Sequence, residues 1–560
     1  MASAFLFITI AAISALFLAD KSTADVPLFT DLGRYTTLVN ASKGLPTQTF
    51  RSSDIIAPIF MVNSWDKRNV DTATHMFLGE MPGPGKAGPM IFDARDLSLV
   101  YADQQYHKSL NSDVRYINGT RYLTALVMGA EKNAVYCLVF DEMYSLKYNI
   151  SVHGTEGDMH ELQVTPEGTV ILSTAFSIPF DCSPVGGPKS CTLRDSGFQE
   201  IDLNSDTVVF NWSASAHFEI SESYSKFNNT FDRYRGVGYD FFHINSIDKT
   251  ANGNYLVSSR NLCLLVLISG RDGSIIWRLG GRHNQFSDLS NGTAINFSWQ
   301  HDARVHHIEK QITLLDNHAS ETAYCKGKCQ TRGLVLEIDS DKLTARRVHE
   351  YFHPESINSE AMGNLQVLES GNVLLAFGFN PAIVEYTIGG APVLDIQLGN
   401  IGVGFQVNNG VYRASKYNWT GKPTWPPSVV VDTPEKGMVN TTIYLSWNGA
   451  TDVASWSVFA SNDSATVWRE SNVIAQHYRS GFETTIHFDN ENNFNCIGAA
   501  AVSATDAILG RTAIIDLKLG DSSNLYDTTC THARREKRKA DAQVRNGRGV
   551  TVATGKTNTG

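Results

Sequence analysis

The chain has 560 residues, 42% of them hydrophobic and 19% charged, with a formal net charge of −10. That composition is globular and leaves ample length for a large core. The acidic balance excludes nucleic acid as the main partner, because phosphate backbones demand a basic face.

The N-terminus reads as a targeting segment. Phe5 to Leu18 is apolar and uncharged, and Ser22-Thr23-Ala24 places small residues ahead of Asp25. This is the pattern of a signal peptide over residues 1–24. A membrane anchor is the competing reading, but it needs an apolar run of about 20 residues. No later stretch is long and apolar enough, and the C-terminus lacks the hydrophobic tail of a lipid-anchor signal. A secreted, extracellular protein without a membrane anchor is expected.

Cysteines and sequons point to the same compartment. Eight cysteines in a secretory chain favour disulfides. Cys182 and Cys191 flank a Pro/Gly loop and are expected to pair, as are Cys325 with Cys329 around Lys-Gly-Lys, and Cys496 with Cys530. Zinc competes for Cys325 and Cys329, but no second ligand pair lies nearby, so no metal is expected. Cys137 and Cys263 sit in apolar strands and read as buried thiols, their pairing left open. Asn-x-Ser/Thr occurs at Asn40, Asn118, Asn149, Asn211, Asn228, Asn291, Asn296, Asn418, Asn440 and Asn462, predicting a glycosylated surface.

Helical periodicity is nearly absent. Short runs rich in β-branched and aromatic residues recur instead, as at 169–176, 254–260, 334–339 and 372–378. Turns such as Asn252-Gly253, Asp272-Gly273 and Ser370-Gly371 separate them. The strands form a repeat. Its first half appears near His75, Tyr122, His160, His243, His301 and Met362; its second half appears at 199–212, 265–280, 334–351 and 383–399. Six uneven units of four strands predict an all-β fold, a six-bladed β-propeller over 25–430. A β-helix has a shorter period, and a two-sheet sandwich does not need six units. Beyond the Pro-rich boundary at 425–434, alternating strands predict a small β-sandwich-like C-terminal unit at 435–520, or strands that close the ring. Residues 531–560, with Arg534–Lys539 reading RREKRK, are expected to be a disordered basic tail.

In a propeller the start of each inner strand faces the channel mouth, so histidines at matching positions converge. His160, His243 and His301 hold such positions. Strand alternation puts Asn245 on the side of His243, and Asp158 on the side of His160. The plainer alternative for each histidine is a satisfied strand end.

Long ordered motifs accompany these residues: DMHELQV (158–164), FDCSPVGGP (180–188), DSGFQEIDL (195–203), FFHINSIDKTANGNYLVSSR (241–260), IIWRLGG (275–281), FSWQHDARV (297–305) and GNLQVLESGNVLLAFG (363–378). Through them the chain resembles the fungal secreted branch of the arylsulfotransferase-like family, over residues 50 to 425 and more weakly to 515. The resemblance implies a six-bladed propeller that transfers a sulfuryl group from an aryl sulfate to a phenol through a sulfated histidine. It implies neither a nucleotide donor nor a metal, and no cofactor. His243 and His301 match the family motifs and carry over as catalytic, sulfate-holding or acid–base residues. His160, Asn245, Arg260, Arg304 and His318 follow as substrate-binding candidates. The bland reading of both arginines is an inter-blade ion pair. The family's sulfated histidine lies in a later blade, where this chain has residues 360–366 and no histidine.

Two classes of function remain open. One is a secreted sulfotransferase-like enzyme acting on a small aryl sulfate or phenol. The other is a non-catalytic, monomeric propeller binding a phenolic, sulfated or glycan ligand. A purely structural extracellular protein stands third. No Gly-x-Ser-x-Gly elbow and no phosphate loop is present, which disfavours a serine hydrolase and a nucleotide-dependent sulfotransferase.

Overall fold

A computed structural model of the chain describes residues 25–42, 45–79, 87–129, 134–227, 238–307, 309–318, 329–402, 410–432 and 440–517. The expected signal peptide, the basic tail, Asn228, Cys325 and Cys530 lie outside these residues, as does the side chain of Asn440. The described residues fall into two compact units. One lies within Met1–Thr424, Ser446–Asp452 and Ser480–Thr484, the other within Trp425–Leu445, Val453–Arg479 and Thr485–Gly560.

The fold is all-β. One α-helix, α1 (Leu32–Ser42), occurs among the described residues. It buries only Tyr35 and Val39, one turn apart. Two apolar positions give too weak a periodic signal for sequence to register.

The first unit is a series of antiparallel meanders. Strand β1 (Lys108–Ile117) leads a sheet continued by Thr120–Met128, Val135–Phe140 and Leu146–Ile150. The next sheet runs β2 (Gly157–Val164), β3 (Thr169–Phe180), β4 (Cys191–Asp202) and Thr207–Ser213, with the short β5 (Tyr239–Asp240) parallel to β4. Then β6 (Ile244–Lys249), β7 (His301–His306) and β8 (Asn364–Val367) each lead a sheet in the same manner. The remaining sheet takes three strands from His75–Ala102 and its inner strand, β9 (Ala414–Tyr417), from the far end of the unit. Six such sheets exist among the described residues.

The phase of the repeat differs from the sequence reading at two places. His75 and Tyr122 lie on second strands, not first ones. The His75 sheet has no inner strand of its own because β9 supplies it. In the β1 sheet the polar run Lys108–Ile117 carries no histidine to mark it, although the Asn118-Gly119 turn follows it.

Each sheet is apolar on both faces, and the cores lie between successive sheets. Phe198 and Trp212 of one sheet pack with Tyr255 and Val266 of the next. Met76, Leu78 and Phe92 pack with Leu374, Ile383 and Leu394. A single sheet of this kind cannot bury both faces alone, which drives the radial stacking. Inner strands β9, β1, β2, β6, β7 and β8 neighbour one another in turn. The cycle closes where Asn364 Nδ2 donates to Ala414 O and Ala414 N donates back to Asn364 Oδ1, both at 2.8 Å.

Strands β3 and β4 outrun β2. Their pairing continues to Phe180 and Cys191, whereas β2 meets β3 no further than Gly157 with Thr174. The expected Cys182–Cys191 disulfide closes this hairpin. Cys329 is disulfide-bonded, and Cys137 and Cys263 are buried thiols. Asn40, Asn118, Asn149, Asn211, Asn291, Asn418 and Asn462 are exposed. Asn296 is half-buried, and its Oδ1 accepts from Arg332 Nη2 at 2.7 Å.

The second unit contains two sheets. One comprises Ser428–Asp432, Asn440–Ser446 and Glu483–Asp489; the other joins Val473–Tyr478, Ser455–Ser461, Cys496–Val502 and Ile508–Arg511, with Ile515–Asp516 beside Cys496.

Candidate functional site

The starts of β2, β6 and β7 bring His160, His243 and His301 into one cluster. The rings of His160 and His243 meet edge to face with centroids 4.5 Å apart. His160 Nδ1 lies 2.5 Å from Asp158 Oδ2, and His243 Nδ1 lies 2.5 Å from Asp240 Oδ2. Among the described residues neither Nε2 has a hydrogen-bond partner.

The backbone explains the second dyad. His243 has φ 57°, a left-handed conformation, and stands just ahead of β6. Strand alternation therefore does not extend to it. Asn245, which alternation paired with His243, is fully buried and donates to Gln300 O at 2.6 Å. Asp240 orients His243 instead. It sits on β5, whose parallel pairing with Leu193 and Arg194 fixes it against the extended hairpin.

Electrostatics set the protonation. Burial raises the Asp158 carboxyl, but His160 and Arg194 outweigh that and hold it well below the usual carboxylate range. Burial likewise opposes ionisation of Asp240, which His243 and Arg194 hold below its ordinary value. Both carboxylates are anionic and can only accept, so each partner Nδ1 carries a proton. Burial pushes His243 below its ordinary value despite Asp240, with His160 and Arg260 adding to the depression. His243 is thus a neutral imidazole whose Nε2 lone pair is free.

His301 is placed differently. It is 4% exposed. Its Nδ1 donates to Asn317 Oδ1 at 2.7 Å, and its Nε2 accepts the Met362 amide at 3.3 Å. Burial, then the charge of Arg260, push it well below its ordinary value. It is a neutral ring with both nitrogens engaged, next to the Met362 segment.

The two arginine candidates also part. Arg304 is committed: Nη2 reaches Glu161 at 2.8 Å and Asp302 at 2.7 Å, and Nη1 reaches Ile247 O at 3.0 Å. Arg260 makes no ion pair with a carboxylate among the described residues, although the Asp240 and Glu360 charges act on it. Its guanidinium lies 3.4 Å over the Trp299 ring and donates only to Asn261 Oδ1, at 3.0 Å. Burial lowers it to about 10, still charged at neutral pH. A half-buried guanidinium on an aromatic face with spare donors is a natural anion holder. His318 stands apart: no hydrogen bond, ion pair or ring contact joins it to His160, His243 or His301, and its Nε2 is buried without a partner.

Sequence reading passed over the residues that support the cluster. Glu161 is fully buried and takes both Arg304 and Arg413. Arg413 also donates to Asn245 O at 3.0 Å, and Tyr412 OH to His160 O at 2.8 Å. Arg194 Nη2 holds Asp158 Oδ1 at 3.1 Å. Glu161 adjoins His160 in the DMHELQV motif, which is the one signal available for it. No group of three or more His, Cys, Asp or Glu side chains among the described residues could hold a metal.

Residues 137–399 match the family described as Arylsulfotransferase (ASST), a span that contains all three clustered histidines. The match supports the arylsulfotransferase-like family and suggests a sulfotransferase-like function. No curated protein matches the chain. Solved structures similar to it include a protein of unknown function from Bacteroides caccae (12% identity, 61% of this chain and 98% of that one, TM-score 0.36). Others are a functionally unknown protein from Desulfotomaculum acetoxidans (10%, 61% and 99%, 0.33) and the periplasmic gluconolactonase of Pseudomonas aeruginosa (12%, 59% and 97%, 0.33). At these scores the likenesses carry no chemistry over to this chain.

Proposed function

We propose that the first unit is a six-bladed propeller of the fungal secreted branch of that family, and that it transfers a sulfuryl group from an aryl sulfate to a phenol. The chain is exported and glycosylated in this reading. The observation that carries the chemistry is the state of His243: Nδ1 tied to Asp240, ring neutral, Nε2 unpartnered, beside the guanidinium of Arg260, which lies over the Trp299 ring. A neutral imidazole attacks sulfur, and a fixed cation holds the equatorial oxygens on which charge gathers. His243 replaces the nucleophile that residues 360–366 lack. His301 braces the Met362 segment and walls the site. No cofactor or metal takes part.

The test is turnover of 4-nitrophenyl sulfate with phenol as acceptor, comparing the full chain with His243→Ala and Arg260→Gln. Wild-type turnover that both substitutions abolish supports the reading; no wild-type turnover sinks it. A second reading has its own observation. The Met362 amide occupies His301 Nε2 and leaves two free imidazole nitrogens rather than three. A non-catalytic binder of phenolic, sulfated or glycan ligands fits that arrangement. Saturable calorimetric binding without turnover selects it.

A further inference from the structure

We propose that N-linked sugars at Asn149 and Asn211 guard two open sheet edges of the first unit, barring a second copy of this chain from pairing with them. The proposal rests on the exported, glycosylated reading above and is independent of the sulfuryl transfer.

The outermost strands of the six sheets are not alike. Four are covered by other segments of the first unit. Along Leu99–Ala102, Gly449 N donates to Val100 O at 2.7 Å, and the Asn448 side chain exchanges two bonds with the backbone of Ala102, both at 3.0 Å. Along Ile275–Gly280, Gln285 N donates to Arg278 O at 3.0 Å, and Asn284 Oδ1 accepts from Gly280 N at 3.0 Å. Ser287–Asp288 pairs with Thr344 and Ala345, and Ser290 Oγ takes the Arg347 amide at 2.9 Å. Met61–Trp65 runs antiparallel along Pro392–Gln397. Leu146–Ile150 and Thr207–Ser213 have no such cover. Among the described residues each pairs only with the strand inside it.

The sequons divide the same way. Asn149, in Asn149-Ile150-Ser151, lies on one open strand, and Asn211, in Asn211-Trp212-Ser213, on the other; both residues are exposed. No Asn-x-Ser/Thr falls on the four covered strands.

An open edge presents unpaired N–H and C=O groups that template another strand. Residues 207–212 read Thr-Val-Val-Phe-Asn-Trp, rich in strand formers, without charge or proline, which is the pattern of a self-associating segment. A bulge leaves Val209 unpaired, yet Val209 is 55% exposed and Val208 37%. On the other edge Leu146 is 46% exposed, and the one charge there, Lys147, pairs with Asp141 at 2.8 Å. The fitting partner is the same edge of a second copy, because identical antiparallel strands match across a two-fold axis. Such a strand must settle about 4.8 Å away. A bulky sugar on an exposed residue of the edge strand fills that approach.

The full chain is secreted from a eukaryotic host as wild type, Asn211→Gln, Asn149→Gln and Asn118→Gln, and compared by size exclusion with light scattering. Asn118 lies on a turn and serves as the control. Asn211→Gln should lose most of its monomer to oligomers. Asn149→Gln should lose less, because Lys147 remains on that edge, and Asn118→Gln should keep its monomer. Hydrogen exchange at the amides of 207–213 should slow in the Asn211→Gln oligomer. Adding Val209→Lys should restore the monomer, since a lysine blocks an edge without sugar. The double variant also decides the case if Asn211→Gln alone is not secreted. Unchanged monomer in either edge variant, oligomers that the lysine does not dissolve, or equal association of Asn118→Gln overturns the proposal. Peptide mapping of the wild type separates the two failures. Bare sites throughout sink the exported, glycosylated reading, whereas sugar elsewhere with Asn149 and Asn211 bare overturns the edge guard alone.

Discussion

Glu161, on inner strand β2, holds Arg413 at 2.8 Å across 252 residues of sequence. The same carboxylate takes Arg304 at 2.8 Å, so two buried guanidiniums from different sheets share one anion. Asp302 supplies the second charge. The network fastens the strand end carrying His160 to the segment that enters the closing strand β9.

Glu161→Gln keeps the shape and removes the charge. It leaves two buried cations with Asp302 as the one carboxylate in ion-pair reach of both among the described residues. Breaking a buried ionic network from one side costs about 3–5 kcal/mol. Urea unfolding of the variant should show a midpoint lowered accordingly, and an unchanged midpoint would show that water reaches the network.

Asp240→Asn separates orientation from charge. An amide at this position no longer fixes the Nδ1 proton, so turnover should fall by about 10²–10⁴-fold. The Asp240 charge also raises the His243 pKa against burial. Its loss should move the acid limb of the rate profile to lower pH. A limb that moves up, or a plateau unchanged within a factor of two or so, contradicts His243 as the nucleophile.

Arg260→Leu should shift that limb the other way, because the Arg260 charge depresses both His243 and His301. Inhibition by inorganic sulfate should weaken about tenfold or more, as a charge-assisted hydrogen bond is worth roughly 1.5–3 kcal/mol. Competition assays at two ionic strengths measure both effects.

Three histidine starts were legible in the sequence, because a polar residue ahead of an apolar strand recurs at His160, His243 and His301. The rest of the site was not, for physical reasons. Arg413 precedes a strand that pairs with His75–Leu78, and no local pattern encodes a partner from the other end of the chain. Asn245 was misplaced because a single left-handed residue, His243, resets the alternation. Arg304 and Arg260 look alike as residues, yet only tertiary packing gives one a carboxylate and the other a tryptophan face. The disulfide was readable because Cys182 and Cys191 are close in sequence. Helix α1 was missed because one turn of buried contact leaves almost no periodicity.

Stability should decline in acid in two stages. His243 and His301 lie below their ordinary 6.5 in the folded protein, so the unfolded chain binds protons first. Their contribution is complete above 6.5 and is lost as pH falls through the lower folded values. Asp158 adds a second decline, below its ordinary 3.8, as its depressed carboxyl protonates. Thermal midpoints measured from pH 8 downward should hold to about 6.5 and then fall.

Glycopeptide mapping of the protein expressed through a eukaryotic secretory pathway should find sugar at Asn118 and Asn211, both exposed, and none at Asn296. The Asn296 amide oxygen accepts from Arg332, which also bonds Asp316 and Glu350. A full-occupancy glycan at Asn296 would show that attachment precedes this packing.

The position of β9 has a consequence in time. A chain made from its N-terminus presents the strands of His75–Ala102 early, and their inner edge waits, unpaired, while the other sheets emerge. Ala414–Tyr417 reaches that edge last, bringing Tyr412 and Arg413 with it. Every premature stop before this point yields a fragment with an open sheet edge and an unbraced His160. The histidine cluster is therefore braced only when the ring's final strand is delivered, and an unfinished chain lacks that brace.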